Sequence, residues 1–340
     1  MIQMMLSNTT GDQNGTLYTS IPVENAVACI VLGLACLIGV PGNGIVIGTI
    51  LCNIKQRSPT IVLILTLAAA DFVVLVTLPF WIYFLADGWV FGIPFWRLTV
   101  YLIFTSMYAS VFFITVMSVE RLVGVLYPFI IQKWWKKTAV SKVVIGIWIS
   151  ALLLAVPNVA LEIKSDVYGR PSKRVYSSVQ HEIGLLLLET MVGFLIPFIT
   201  LSVSYSCVST RLKQMVFRKK NKSGNLIMSI VIAFVVCWFP YHIGNIVKIA
   251  SLLTKNSNSE LSKQLAKVYQ TMKDAAGALA FISSCINPIL YAFATRSFKT
   301  GFKTSNFAKV FEQMNSSFKE KQDKGTDGMD HRALRASIQS

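Results

Sequence analysis

The chain has 340 residues and a mass of 37.7 kDa, with 54% apolar residues, only 14% charged residues and a mean hydropathy of +0.57. Soluble domains carry about 25% charged residues, so a water-soluble enzyme is excluded at the outset. A formal net charge of +16, with no polar domain on which to cluster it, also excludes a nucleic-acid binder. What remains is an integral membrane protein with basic loops.

Residues 1–25 form a polar tail without a charged start and a short apolar core, so no cleavable signal is expected and the first apolar run inserts the chain. Asn8 and Asn14 each head an Asn-X-Thr triplet and are expected glycosylation acceptors. Seven apolar runs follow, over 26–52, 61–86, 95–125, 140–161, 183–206, 226–249 and 275–294. Each is near the roughly 20 residues that a spanning helix needs. Pro41, Pro79, Pro157, Pro197, Pro240 and Pro288 place a proline in every run except the third. Each removes a backbone hydrogen bond and permits a kink. The alternation of a β-barrel is absent.

The expected fold is therefore an all-α membrane protein, a seven-transmembrane helix bundle over 26–295. A short interfacial amphipathic helix is expected over 296–311, where Phe298 and Phe302 share a face beside Arg296, Lys299 and Lys303. Residues 312–340 read as a disordered tail.

The connections after the first, third and fifth runs are basic, with Lys55, Arg57, Lys133, Lys136, Lys137, Arg211, Lys213, Lys219 and Lys220 among them. The opposite side is nearly balanced. Positive-inside then sets the N-terminus outside and the tail in the cytoplasm, and turns the basic excess toward anionic lipid and cytoplasmic partners.

The polar residues inside the apolar runs carry the chemistry. Asp71 lies in mid-membrane, where a carboxylate costs roughly 2.5–3.5 kcal/mol on insertion scales. It needs a cation, a proton or hydrogen bonds. Ser110, Ser284 and Asn287 are the candidate partners, and a sodium-type site is the expected use. Glu189 is a second intramembrane acid and a functional candidate for the same reason. Glu120-Arg121 closes the third run at the inner edge, where the acid can hold the guanidinium. Tyr205 and Tyr291 are placed to receive Arg121 if the bundle opens. Cys237-Trp238-Phe239-Pro240 and Asn287-Pro288-Ile289-Leu290-Tyr291 each set a polar or bulky side chain against a proline kink.

All six cysteines lie within apolar runs or, for Cys207, one residue past one, and read as small buried hydrophobes, so no loop disulfide and no tail palmitoylation are expected. Histidine occurs only at 181, 242 and 331, too sparse for a multi-histidine metal site, and neither HExxH nor GxSxG occurs. A retinal protein would need a lysine at mid-depth in the last run, which has none. A transporter or channel would favour internal repeats, which are absent.

Taken together, Asn43 after Pro41-Gly42, Leu67 to Asp71, Glu120-Arg121, Trp148, Pro197, Cys237 to Pro240 and Asn287 to Tyr291 resemble the helix signatures of rhodopsin-like (class A) G-protein-coupled receptors. The resemblance covers about residues 25–305. It implies a non-enzymatic receptor with an agonist pocket in the outer half of the bundle, and inner opening as the sixth helix swings outward. It also implies a heterotrimeric G protein docked on the inner cleft, with Lys219 and Lys220 beside it. Longer strings, such as Ser106-Met107-Tyr108-Ala109-Ser110-Val111, Pro240-Tyr241-His242 and Trp89-Val90-Phe91-Gly92, resemble the leukotriene B4 receptors.

That closer resemblance implies a hydroxylated fatty-acid ligand, inhibitory G proteins, chemotaxis and a plasma-membrane location. Tyr108, Glu189 and Asn245 match polar pocket residues of that family; Arg97, Trp238, Tyr241 and His242 complete the expected ligand set. Arrestin and a receptor kinase are the further expected partners, with Ser316, Ser317 and Thr326 as tail targets. A peptide or another small acid stays open as ligand. Three departures bear on it. Trp96 stands where the family has a disulfide cysteine, and the second outer loop lacks the partner cysteine, so that loop is expected to be mobile. Glu162 and Glu182 replace basic residues, and Val100 replaces a histidine. Arg97, Lys164, Arg170, Lys173 and Arg174 remain to attract a carboxylate. Lys219 and Lys220 replace the acid that would pair with Arg121, so basal signalling is expected to be raised.

Overall fold

A computed structural model describes residues 23–55, 57–160, 162–165, 171–213 and 222–294. The first span is α1 (Val23–Asn53). The second is split into α2 (Pro59–Val76) and α3 (Leu78–Asp87) at Thr77. Pro79 has no N–H to continue the helical ladder, and the Thr77 hydroxyl closes α2 by donating to the Val74 carbonyl at 2.6 Å. The third span is α4 (Gly92–Leu126), followed by a short inner helix, α5 (Pro128–Trp134), and by the fourth span, α6 (Lys137–Val159). Strands β1 (Glu162–Ser165) and β2 (Pro171–Val175) come next. The fifth span is α7 (Val179–Thr190), a π-helical turn over Met191–Leu195 and α8 (Ile196–Lys213). The sixth is α9 (Lys222–Thr254) and the seventh α10 (Ser259–Ala294).

Among the described residues, six of these segments are long and apolar enough to cross a membrane. The seventh crosses with its C-terminal half, because residues 259–274 are polar. The third span is the axis of the bundle: 67% of its apolar window is buried, against 22% for the fourth. Fourth-span side chains such as Ile145, Ile149 and Leu153 point outward, where hydrocarbon is an adequate solvent for them. The first span closes on its neighbours at glycines. A Cβ on Gly39 would lie 2.6 Å from Leu75 Cδ1, and one on Gly42 would lie 3.0 Å from Pro288 Cβ. Side chains at these points would push the second and seventh spans away.

In the second outer loop β1 and β2 pair antiparallel, Glu162 with Val175, Ile163 with Arg174 and Lys164 with Lys173. β2 lies against the third span, at the end of the bundle that loop charge assigns to the outside, here the outer end. The seventh helix begins at Ser259, four turns before its apolar run. The Asn258 side chain accepts from Leu261 N at 3.0 Å, an N-cap that starts a helix in polar sequence. Ser251 and Ser262 then exchange hydroxyl-to-carbonyl bonds of 2.9 and 2.8 Å between the sixth and seventh spans. The tail with Asn8 and Asn14, Arg170, Lys219 and Lys220, the interfacial helix over 296–311 and the tail over 312–340 lie outside the described residues. Only the backbone is described for Glu162, Lys164, Lys173, Arg174 and Tyr291.

Candidate functional site: two buried carboxylates

Asp71 is buried on α2. Asn287 Nδ2 donates to its Oδ2 at 2.6 Å and Ser110 Oγ to its Oδ1 at 3.0 Å, and the Ser284 side chain is a third partner. One carboxylate thus joins the second, third and seventh spans. The donor set is one charge, two hydroxyls and an amide, oxygen-rich and hard. It fits a singly charged hard cation and not zinc. Among the described residues no group of three His, Cys, Asp or Glu could hold a transition metal.

The proline kinks explain the bonds around this hub. Pro288 cannot donate to the carbonyl four residues earlier, that of Ser284. Asn43 Nδ2 donates to that carbonyl at 3.0 Å and to Gly39 O at 3.0 Å. The first span thereby satisfies an acceptor that the seventh has lost. Beside the Pro240 kink, Trp238 Nε1 donates to Ser283 Oγ at 3.1 Å, coupling the sixth span to the seventh. At the inner edge Glu120 accepts from Thr60 Oγ1 at 2.7 Å, a tie from the third span to the second.

The second carboxylate, Glu189, lies in the outer half at the end of α7. Its Oε2 accepts from Tyr241 OH at 2.9 Å and from Asn245 Nδ2 at 3.2 Å, both on α9. The π-helical turn follows directly, and such turns re-aim side chains within a span. It brings Gly193 against the third and sixth spans: a Cβ there would lie 3.6 Å from Tyr108 and 3.7 Å from His242. Tyr108 and His242 are fully buried, and among the described residues the Tyr108 hydroxyl and both His242 ring nitrogens have no hydrogen-bond partner. His242 instead stacks on Phe194 at 4.8 Å between ring centroids and meets Tyr241 edge-on at 5.1 Å. Unpaired buried polar atoms are costly and uncommon. Three of them, on Tyr108 and His242 among aromatic rings, leave donor and acceptor capacity that a polar molecule could pair with.

The profile of the "7 transmembrane receptor (rhodopsin family)" matches residues 42–291. The chain belongs to the rhodopsin family of seven-transmembrane receptors. It is therefore a multi-pass membrane receptor and not an enzyme, from a family that takes small ligands and couples to G proteins. It is 35% identical to leukotriene B4 receptor 1 of Homo sapiens over 322 residues, covering 92% of this chain and 89% of the relative. The rat leukotriene B4 receptor 1 (Rattus norvegicus) is 37% identical over 300 residues, 85% and 82% of the two chains. Chemerin-like receptor 2 of Mus musculus is 31% identical over 288 residues, 82% and 78%.

In this receptor the expected ligand residues divide. Tyr108, Glu189, Trp238, Tyr241, His242 and Asn245 converge between the third, fifth and sixth spans. Arg97 does not join them: it is exposed on α4, 11 residues before Tyr108 and so about three turns farther out. The expected hub of Asp71 with Ser110, Ser284 and Asn287 is assembled as a unit. At the inner end Arg121 is half-buried beside Glu120, while Tyr205 is exposed on α8. Sequence reasoning missed Thr60, Ser283 and Phe194. It also missed Lys248, whose Nζ lies 3.5 Å from Glu182 Oε1. The position of Lys248 three residues beyond Asn245, and hence on the same face, was the available signal. Trp96 is buried among Trp81, Trp89 and Phe84, with ring centroids 4.9, 5.0 and 5.3 Å away. Aromatic packing holds the outer ends of the second and third spans together there.

Proposed function

We propose that this receptor is activated from outside the plasma membrane by a lipid chemoattractant, leukotriene B4 or a related hydroxy fatty acid, and signals through inhibitory heterotrimeric G proteins. The observation that carries the reading is the set of unpartnered groups on Tyr108 and His242 beside the Glu189 cage, lined by Phe194 and Trp238. An apolar chain bearing hydroxyls fits rings with a few convergent polar atoms. The leukotriene B4 receptors among the relatives support the choice. Similarity to chemerin-like receptor 2 favours a chemoattractant peptide as the second reading.

The N-terminus is outside and the tail inside, as loop charge requires. Agonist among the third, fifth, sixth and seventh spans displaces Trp238, and the Trp238–Ser283 bond passes that movement to the seventh span. Asp71, Ser110, Ser284 and Asn287 hold a sodium ion in the inactive state, which neutralises the carboxylate. The sixth span swings about Pro240, and Arg121 turns toward Tyr205 and Tyr291. Arrestin and a receptor kinase act on the cytoplasmic tail, and anionic lipid meets the basic inner face.

The test is inhibition of cyclic AMP by leukotriene B4, hydroxy fatty acids and chemoattractant peptides in cells expressing the full chain, with Arg121→Ala as the uncoupled control. Inhibition by the lipids supports the reading. Silence to them with a response to a peptide replaces the ligand and leaves the receptor in place. In membranes, sodium is expected to lower agonist affinity for the wild type and to leave Asp71→Asn unaffected. An equal sodium response in both removes the ion from Asp71.

A further inference from the structure

Resting on the lipid-acid reading above, we propose that Lys248 is the seat of the agonist's carboxylate and that Glu182 occupies it until the agonist arrives. The two side chains form an ion pair at 3.5 Å between the fifth and sixth spans, with side-chain exposures of 20% for Lys248 and 12% for Glu182. The contact is longer than the roughly 2.7–2.9 Å of a charge-assisted hydrogen bond. Among the described residues Glu182 Oε1 accepts no hydrogen bond. The pair is neutral in sum but loosely made.

Each partner also has a second place to rest. Lys248 Nζ lies over the Tyr269 ring, 5.7 Å from its centroid, on the seventh span. A cation is stabilised there by the ring face. Glu182 is in the first turn of α7, whose N-cap Ser178 accepts from His181 N at 3.1 Å. The partial positive charge of a helix N-terminus favours a carboxylate in that turn. Glu182 can therefore leave Lys248 and keep a favourable field.

The location fits a ligand that reaches the Glu189 cage. Lys248 stands one turn outward from Asn245 on α9, and Glu182 two turns outward from Glu189 on α7, on the same faces. The pair thus roofs the cage, roughly 10 Å above Glu189 by helical rise. A molecule with hydroxyls at Tyr108 and His242 and a carboxylate roughly 9 Å farther out, the rise from His242 to Lys248, would meet Lys248. A neutral ligand leaves the ion pair as it is, whereas an anion can exchange with Glu182 and leave Lys248 paired. Charge selection then comes from the sixth span. It does not require a basic residue at 162 or 182, where this chain carries acids.

The experiment compares leukotriene B4 with its methyl ester on the full-length receptor, with surface expression measured for every variant. The wild type is expected to favour the acid. Lys248→Gln is expected to lose about 10- to 100-fold in acid potency, the range of one charge-assisted hydrogen bond, with ester potency unchanged. Lys248→Arg retains the preference for acid. Glu182→Gln removes the competitor and is expected to raise acid potency about 3- to 10-fold while leaving the ester alone. If instead both Gln variants weaken acid and ester alike, the pair is a structural strut and the exchange is wrong. A wild-type receptor silent to both probes overturns the ligand reading and the exchange with it.

Discussion

The outer end of the bundle has two walls built on different physics. Between the second and third spans, Trp81, Phe84, Trp89 and Trp96 pack edge to face, and Trp89 Nε1 is satisfied by Gly92 O at 2.8 Å. Between the fifth and sixth spans the contacts are Glu182 with Lys248, Glu189 with Tyr241 and Asn245, and His242 on Phe194. Close-packed rings have one arrangement that buries their area. Polar pairs can exchange one partner for another at little net change. The first wall is a fixed reference, and the second is where an external molecule can alter the spacing of helices.

The largest effect should come from the fixed wall. Trp96→Ala removes a fully buried ring and is expected to destabilise the receptor by about 3–5 kcal/mol. Thermal unfolding in detergent and surface expression should both fall, while the receptor that does reach the surface keeps its agonist potency. A selective loss of potency at normal expression would move Trp96 to the working wall. Next comes Glu189→Leu, which removes the carboxylate that accepts from Tyr241 and Asn245, while Asn245 Nδ2 keeps Thr190 Oγ1 at 3.4 Å, at a cost of about 1–3 kcal/mol. Here agonist potency should fall together with thermal stability. Glu189→Gln, which keeps an acceptor oxygen, should recover most of the stability.

The two walls were not equally legible in the sequence. The Asp71 hub could be read because an acid in an apolar run must find partners, and Ser110, Ser284 and Asn287 were the polar groups at matching depth. Glu189 stood out by the same reasoning. Its closure by Tyr241 and Asn245 depends on the rotation of the fifth span, which the π-helical turn at Met191–Leu195 resets. Apolar periodicity carries no mark of that turn. The contact of Lys248 with Glu182 is not legible in the sequence, because nothing linear brings residues 66 positions apart together. The aromatic wall was hidden for another reason: Trp89 sits between helices, where an aromatic residue has no periodic partner. The polar start of α10 is marked in the sequence by Asn258 as a cap, but no apolar run extends over it.

A smaller effect separates packing from recognition inside the working wall. Tyr108→Phe deletes a buried hydroxyl that has no partner among the described residues, and His242→Phe keeps a ring to stack on Phe194. Neither change should lower stability, and each can raise it by about 1 kcal/mol, since an unpaired buried polar group is removed. Agonist potency should nevertheless fall about 10-fold for each, the worth of one hydrogen bond to the ligand. Variants that stay stable and keep full potency would place the ligand's polar groups elsewhere.

The smallest change is the most discriminating, because stability and affinity should move in opposite directions. A methyl at Gly193 would lie 3.6 Å from Tyr108 Cε1, 3.7 Å from His242 Cε1 and 3.9 Å from Met107 Cε, all ordinary contact distances. Nothing has to shift to admit it. Replacing glycine by alanine inside a helical segment should then gain up to about 1 kcal/mol of backbone preference. The same methyl fills space between the two unpartnered groups, where a ligand chain would have to pass. Gly193→Ala is expected to unfold at a slightly higher temperature and to lose about 3- to 10-fold in agonist potency, as one misplaced methylene does in an apolar pocket. A disturbed fold would lower both quantities, and an unused face of the helix would leave potency alone.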